Sequence, residues 1–218
     1  MSDQNIPIKH SRKELEKQQR RLEILKAALT VFVQKGYHST TLDEVAQLAE
    51  FGKGTLYNYF QNKEDLFYAI LEHQTSEILT VTQSALRETQ GSLKDKLRAF
   101  ALATVQHGQA NKETFGMIMQ ELHQPNLECN SHRLELLGQG IQKIWSQLAD
   151  LFKEEIHAGR MRNFDVMNLA ALLDAMLRMY VLTTYSSFWP LDPVTPEASV
   201  DMALDVFFNG VGEMKDKG

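Results

Sequence analysis

The sequence predicts an all-α chain, in which a small N-terminal head of three helices is joined by a long fourth helix to a larger helical body. Three observations carry this. Apolar residues recur at helical spacing along one segment after another, and capping residues and glycines punctuate those segments at helical lengths. Formal charge is also divided unevenly. Residues 1–63 hold ten Lys or Arg against seven Asp or Glu, net +3, whereas 64–218 hold thirteen against twenty-one, net −8. The total of −5 thus hides a basic head and an acidic body. With 218 residues and 43% hydrophobic content, the chain can bury a substantial core. No stretch reaches the apolar length of a membrane span, and the polar start MSDQNIPIKH lacks a secretion-signal core, so no membrane partner is expected. The one cysteine, Cys129, cannot form an internal disulfide, which agrees with a reducing compartment and a cytoplasmic protein.

Residues 1–16, with Lys9, His10, Arg12 and Lys13, show no apolar periodicity and are expected to form a flexible basic arm. It is either a solvated tail or a contact to phosphate or a minor groove. The head proper is expected over 17–63. A helix from about Lys17 carries Ile24, Ala27, Ala28, Val31 and Phe32 on one stripe and stops at Gly36, with Tyr37 as a core anchor beyond it. Thr41 is a natural cap for a second helix, whose Leu42, Val45, Ala46 and Ala49 share a face. After Glu50, Phe51 and Gly52 a third, short helix runs from Lys53 to Tyr59. Its Leu56, with Phe60, turns to the core and leaves Lys53, Gly54, Thr55, Tyr57 and Asn58 outward. A cation, small polar groups and an exposed aromatic suit a DNA groove better than solvent. Lys53, Tyr57, Tyr59 and Lys63 are the expected phosphate contacts, and Thr41 can serve as a further one besides capping. Thr55 and Asn58 are the expected base readers, and Gly54 allows close backbone approach.

The stretch from Thr41 to Phe67 resembles the DNA-binding head of the TetR family of bacterial regulators. The pattern TLYxxFxxKEDLF is matched by Thr55, Leu56, Tyr57, Phe60, Lys63, Glu64, Asp65, Leu66 and Phe67, and the match extends upstream through FVQKGYHSTTLDEVA. Glu50 stands where a turn glycine is common in the family, and Gly52 where a serine usually caps. The resemblance implies a helix-turn-helix head and a double-stranded DNA operator. It also implies a fourth helix with its first turn against DNA and its remainder in the wall of a ligand cavity.

That fourth helix is expected to open at Asn62 or Lys63 and to reach about Arg87, before Gly91. The body, 64–218, is expected to bind a ligand and to dimerise. Ser92 caps a helix to about Gln109, and a short one follows over Lys112–His123. A long helix spans Ser131 to Ala158, where Gly138 and Gly140 allow a kink or a close contact. Asp165 caps a segment from Val166 to about Phe188 that is apolar almost all round, and a last helix spans Glu197 to Met214. Two such apolar helices at a chain end want more cover than one small body gives, so a homodimer through this pair is expected.

Aromatic and thioether residues between Ile70 and Tyr185 could line a cavity for a small effector, unknown in identity but apolar or aromatic: Phe100, Phe115, Met119, Trp145, Met176 and Tyr180. Thr104 lies among them, and His107 and His123 could meet a polar end. His123, Cys129 and His132 match no compact zinc spacing, so no metal is expected, nor is any cofactor. The chain lacks GxSxG, HExxH and a phosphate-cradling glycine loop, which argues against an enzyme. The expected function is a ligand-responsive, DNA-binding transcriptional regulator, a repressor released from a palindromic operator. The alternative is a helical small-molecule-binding protein or enzyme with a vestigial DNA-binding head.

Overall fold

The structure is a computed structural model that describes residues 11–122, 131–185 and 195–211, all helix or short connection. Its elements are α1 (Arg12–Lys35), α2 (Leu42–Leu48), α3 (Lys53–Tyr57), α4 (Lys63–Glu88), α5 (Leu93–Ala110), α6 (Lys112–Leu122), α7 (Ser131–His157), α8 (Val166–Tyr185) and α9 (Pro196–Val211). Contacts divide the chain into two compact units after Ile70. Among the described residues, no helix is long and apolar enough to cross a membrane.

The first unit starts with a helix longer than its apolar stripe. α1 begins at Arg12, five residues before the expected Lys17, so residues 12–16 are helical rather than part of an arm. The reason is a capping box: Glu14 N–H donates to the Ser11 hydroxyl at 3.3 Å, and Ser11 N–H donates to the Glu14 carboxylate at 2.7 Å. Residues 12–20 are all exposed, so periodicity could not reveal this turn, but Arg12–Glu16 and Gln19–Glu23 pairs stitch it. Further along, Ile24, Leu25, Ala28 and Phe32 are buried, as are Val45 and Ala46 of α2 and Leu56 of α3, with α1 packed on α2 and α2 on α3. The rings of Phe32, Tyr37 and Phe67 lie 5.2 to 6.3 Å apart in a mutually tilted trio, which gives Tyr37 its anchoring role.

α2 has the expected Thr41 cap, again as a capping box, here with Glu44. Lys35 also bonds Glu44, and its ammonium does most to pull that carboxyl down from 4.5 to about 2. The turn between α2 and α3 passes through Glu50 at φ 58°, the left-handed region, so the backbone adopts a glycine-like conformation without a glycine. Entry to α4 is fixed by Asn62, whose Oδ1 accepts from Asp65 N–H at 2.7 Å while Asp65 accepts from Gln61 N–H at 2.9 Å.

In the second unit α7 packs on α8, α5 packs on α8 and α9, and α6 lies on α8. The core draws Leu97, Phe100 and Val105 from α5, Ile144, Leu148 and Phe152 from α7, Leu173 and Leu177 from α8, and Leu204 and Phe207 from α9. α7 runs unbroken through Gly140, where a Cβ would stand 2.7 Å from Thr75 Cγ2 of α4: the glycine serves a close contact. Gly108 of α5 does the same against Val181, at 2.3 Å. α9 starts at Pro196, whose fixed φ suits a first helical position, after Thr195 accepts from Ala198 N–H at 3.2 Å.

Replacing Glu50 by glycine relieves a left-handed residue, so the variant is expected to gain roughly 0.5–1 kcal/mol. Glu50→Val, with its branched Cβ, is expected to lose more than that. Urea unfolding of the full chain followed by circular dichroism checks both, and a Gly variant less stable than the parent would contradict the turn geometry.

Candidate nucleic-acid interface

α3 has five residues and no side-chain cap, since Gly52 at its N-cap has none to offer. Leu56 is fully buried and Phe60 nearly so, and these two anchors fix which side of α3 faces out. Tyr57 is 52% exposed, a large value for an aromatic ring. Lys53, Gly54 and Asn58 are exposed too, while Thr55 and Tyr59 are half-buried. A Cβ built at Gly54 would meet nothing within 4 Å, so the backbone there is uncovered. The spacing-based division of α3 into an inner and an outer side therefore matches the geometry for Lys53, Gly54, Leu56, Tyr57 and Asn58, whereas Thr55, expected outward, is half-buried.

Individual side chains carry roles that spacing did not reveal. Lys53 makes an ion pair with Asp43 of α2, tying the two helices together. Lys63, at the start of α4, donates to the carbonyls of His38 at 2.8 Å and Thr40 at 3.0 Å, with its ammonium 4.7 Å from the Tyr37 ring centre. It thus fastens the connection that leads into α2. The Thr41 hydroxyl accepts from Glu44 N–H and donates to Glu44 Oε2, so the cap uses both its capacities.

The residues expected to line a cavity in the body differ in burial and in partners. Phe100 is wholly buried in the core, and Thr104 turns its hydroxyl back to the Phe100 carbonyl at 2.9 Å. His107 and Phe115 meet edge to face at 6.4 Å. Burial pushes the His107 imidazolium down from its ordinary range, which favours the neutral ring. The Trp145 indole N–H donates to Asp174 Oδ2 at 2.9 Å, and the Tyr180 hydroxyl bonds that of Ser199. Met176, expected in a buried cavity, is instead 37% exposed beside Leu172 and Met179. Because α8 is apolar almost all round, its spacing could not say which side is inside. His123 and Cys129 lie outside the described residues, as do the side chains of Met119 and His132. A half-open cleft of about 500 Å³ does occur in the body, between Ser92, Lys94, Leu151, Glu155, Arg160 and Phe208, and none of the expected residues lines it. Sequence reasoning missed the buried Asp174 and its neighbour Arg178, although a charged pair four apart inside an apolar segment was the available signal.

Residues 24–70 match the family model described as bacterial regulatory proteins of the tetR family. The HTH-type transcriptional regulator YhgD of Bacillus subtilis is 29% identical over 178 residues, covering 79% of this chain and 87% of YhgD. The HTH-type transcriptional activator FasR of Mycolicibacterium smegmatis is 36% identical over 85 residues, 39% of this chain and 38% of FasR. The solved structure of the transcriptional regulator FadR of Bacillus subtilis, in complex with stearoyl-CoA, superposes with a TM-score of 0.72 at 21% identity, over 87% of this chain and 98% of that one. The head motif and these comparisons agree: residues 24–70 carry the DNA-binding domain of the tetR family of bacterial regulatory proteins, and the chain as a whole shares its fold with solved regulators such as FadR.

Proposed function

We propose that the chain is a cytoplasmic, homodimeric transcriptional repressor whose α3 enters the DNA major groove, and that an effector with a large apolar part releases it from a palindromic operator. The observation that carries the reading is the outer side of α3, where Tyr57 and Asn58 stand exposed around an uncovered Gly54 while Leu56 is buried beneath them. A tyrosine left half in solvent on a helix this short has no packing purpose. It does have one against a phosphate backbone. In this reading Thr55 and Asn58 read bases, and Lys53, Tyr57 and Tyr59 position the duplex, with Thr41 and Lys63 at the edge of the contact.

Dimerisation is supported by Leu172, Met176 and Met179 on α8 and by Met202 and Val206 on α9, large apolar side chains exposed on two packed helices. Two-fold symmetry then calls for half-sites whose centres lie about 34 to 36 Å apart, or a multiple of that. That an effector is involved is supported by the FadR neighbour, solved with stearoyl-CoA. The same helix serves both units, since α4 runs unbroken from Lys63 to Glu88 across the division at Ile70.

A mobility-shift assay with DNA from upstream of the protein's own gene tests the central claim: absence of any sequence-selective shift would leave the alternative of a vestigial head. Gly54→Ala is expected to keep or slightly raise stability, by up to about 1 kcal/mol, while lowering operator affinity about tenfold or more; unaltered affinity would remove α3 from the groove. Lys63→Met is expected to cost about 1–3 kcal/mol of stability through the lost carbonyl contacts and to weaken binding to all sequences alike. For the dimer, Leu172→Asp combined with Val206→Asp is expected to sediment as a helical monomer at micromolar concentration, and a persisting dimer would refute the proposed interface.

A further inference from the structure

The interior of the body holds buried polar atoms that have no hydrogen-bond partner among the described residues. Asp174 on α8 is 2% exposed. Its Oδ2 accepts from Trp145 Nε1 at 2.9 Å and from Arg178 Nε at 2.7 Å. Among the described residues its other oxygen, Oδ1, has no hydrogen-bond partner, and neither do Arg178 Nη2 and His107 Nε2, although all three atoms are buried. His107 belongs to the same neighbourhood: the adjoining Gly108 packs so closely on Val181 of α8 that a Cβ there would stand 2.3 Å from it, and the charge of Arg178 is felt at the His107 ring. From α4, buried Gln74 donates to Glu77 at 3.1 Å, and its Oε1 likewise has no partner among the described residues. Four helices, α4, α5, α7 and α8, contribute to this cluster.

Buried polar atoms are almost always satisfied, by protein, by water or by something bound. Here the missing partners have a definite chemistry. Asp174 Oδ1 accepts and Arg178 Nη2 donates. Asn111 Nδ2 lies 3.5 Å from His107 Nδ1, an approach that favours the tautomer with its proton on Nε2, which makes the imidazole a second donor. Asp174 and Arg178 balance each other's charge, so a guest with a net charge would be buried without its counterion. The complement is a neutral group that offers a donor and an acceptor attached to one carbon.

We propose that this cluster is a head-group site for the effector and that it takes a neutral carboxamide or lactam, with Asp174 accepting its N–H and Arg178 and His107 donating to its carbonyl. The inference rests on the effector reading given above. The apolar remainder of the ligand would lie among the body's aromatic and aliphatic side chains.

Three probes of equal chain length separate the possibilities: octanamide, octanoate and octylammonium. Binding is read from the emission of Trp145, whose indole touches Asp174, in the full chain carrying Trp189→Phe. Octanamide is expected to bind saturably, about tenfold or more tighter than either charged probe. Equal binding of all three, a preference for a charged probe, or no saturable binding overturns the site. The double variant Asp174→Leu, Arg178→Met removes the pair together without leaving a lone buried charge, and is expected to keep its helical signal while losing the preference for the amide. His107→Phe leaves the ion pair in place and is expected to weaken octanamide severalfold and the charged probes little. A preference that survives both variants refutes the assignment. If octanamide binds as expected yet leaves operator DNA bound, the head-group site stands and the effector reading fails.

Discussion

A helix of five residues cannot sustain itself in water, where isolated helices are marginal even at three times that length. α3 exists because Leu56, inside it, and Phe60, just beyond it, are buried in the head core. Everything said of the interface follows from that burial. It sets the rotation of α3 about its axis, and that rotation puts Tyr57 and Asn58 outside. The neighbours serve the same end. Lys53 is tied to Asp43 on α2, and Lys63 clasps the carbonyls of His38 and Thr40 ahead of α2. The Phe32, Tyr37 and Phe67 rings pack beneath that clasp. Tertiary packing outweighs local propensity throughout this unit, as Glu50 also demonstrates by holding φ 58° where a glycine would sit without strain.

How much of this was legible in the sequence depended on whether a feature is local. Caps are local. Thr41, Asn62 and Ser92 could be read because a cap is one side chain acting on a backbone group three residues on. The Ser11 cap is invisible to apolar periodicity, because the first turns of α1 have none. The outer side of α3 was legible as well, because two anchors in a short helix leave little choice of rotation. By contrast, the jobs of Lys53 and Lys63 depend on what the fold brings near them, Asp43 ten residues away and His38 twenty-five away. Burial in the body depends on such non-local contacts too. A residue's place on α8 says nothing about which side is interior when every side is apolar, so Met176 came out exposed while Asp174, overlooked among leucines, came out buried.

The buried ion pair raises the question of what it is for. Stability is a poor answer, because removing two charges from water costs several kcal/mol per ion, which their attraction recovers only with good geometry and full hydrogen bonding. The pair of buried Asp174 and half-buried Arg178 has good geometry at 2.7 Å, but among the described residues Asp174 Oδ1 and Arg178 Nη2 have no partner. An apolar pair of similar volume would be expected to hold α8 at least as firmly. Such an arrangement therefore suits binding better than folding: it keeps a donor and an acceptor desolvated in advance, ready for a guest that supplies both. That guest's benefit is largest when its own polar atoms fit and smallest when they do not, which is how buried polar groups produce selectivity.

Selectivity in the body becomes regulation only if the guest discriminates between two arrangements of the chain. A ligand shifts such an equilibrium by its differential affinity and no more. α4 is where such a difference could arise: the charge of Glu77 is felt at His107, and Gly140 of α7 fits so closely against Thr75 that little room remains for α4 to move there without repacking. Close-packed contacts of this kind tend to switch between discrete states instead of deforming smoothly. A guest that satisfies Arg178 and His107 also alters the field at Glu77, on the very helix whose first turn carries Lys63 and its clasp on the connection into α2. Any response that α4 passes on is bounded by that same differential affinity, so a guest that fits both arrangements equally well shifts nothing, however tightly it binds.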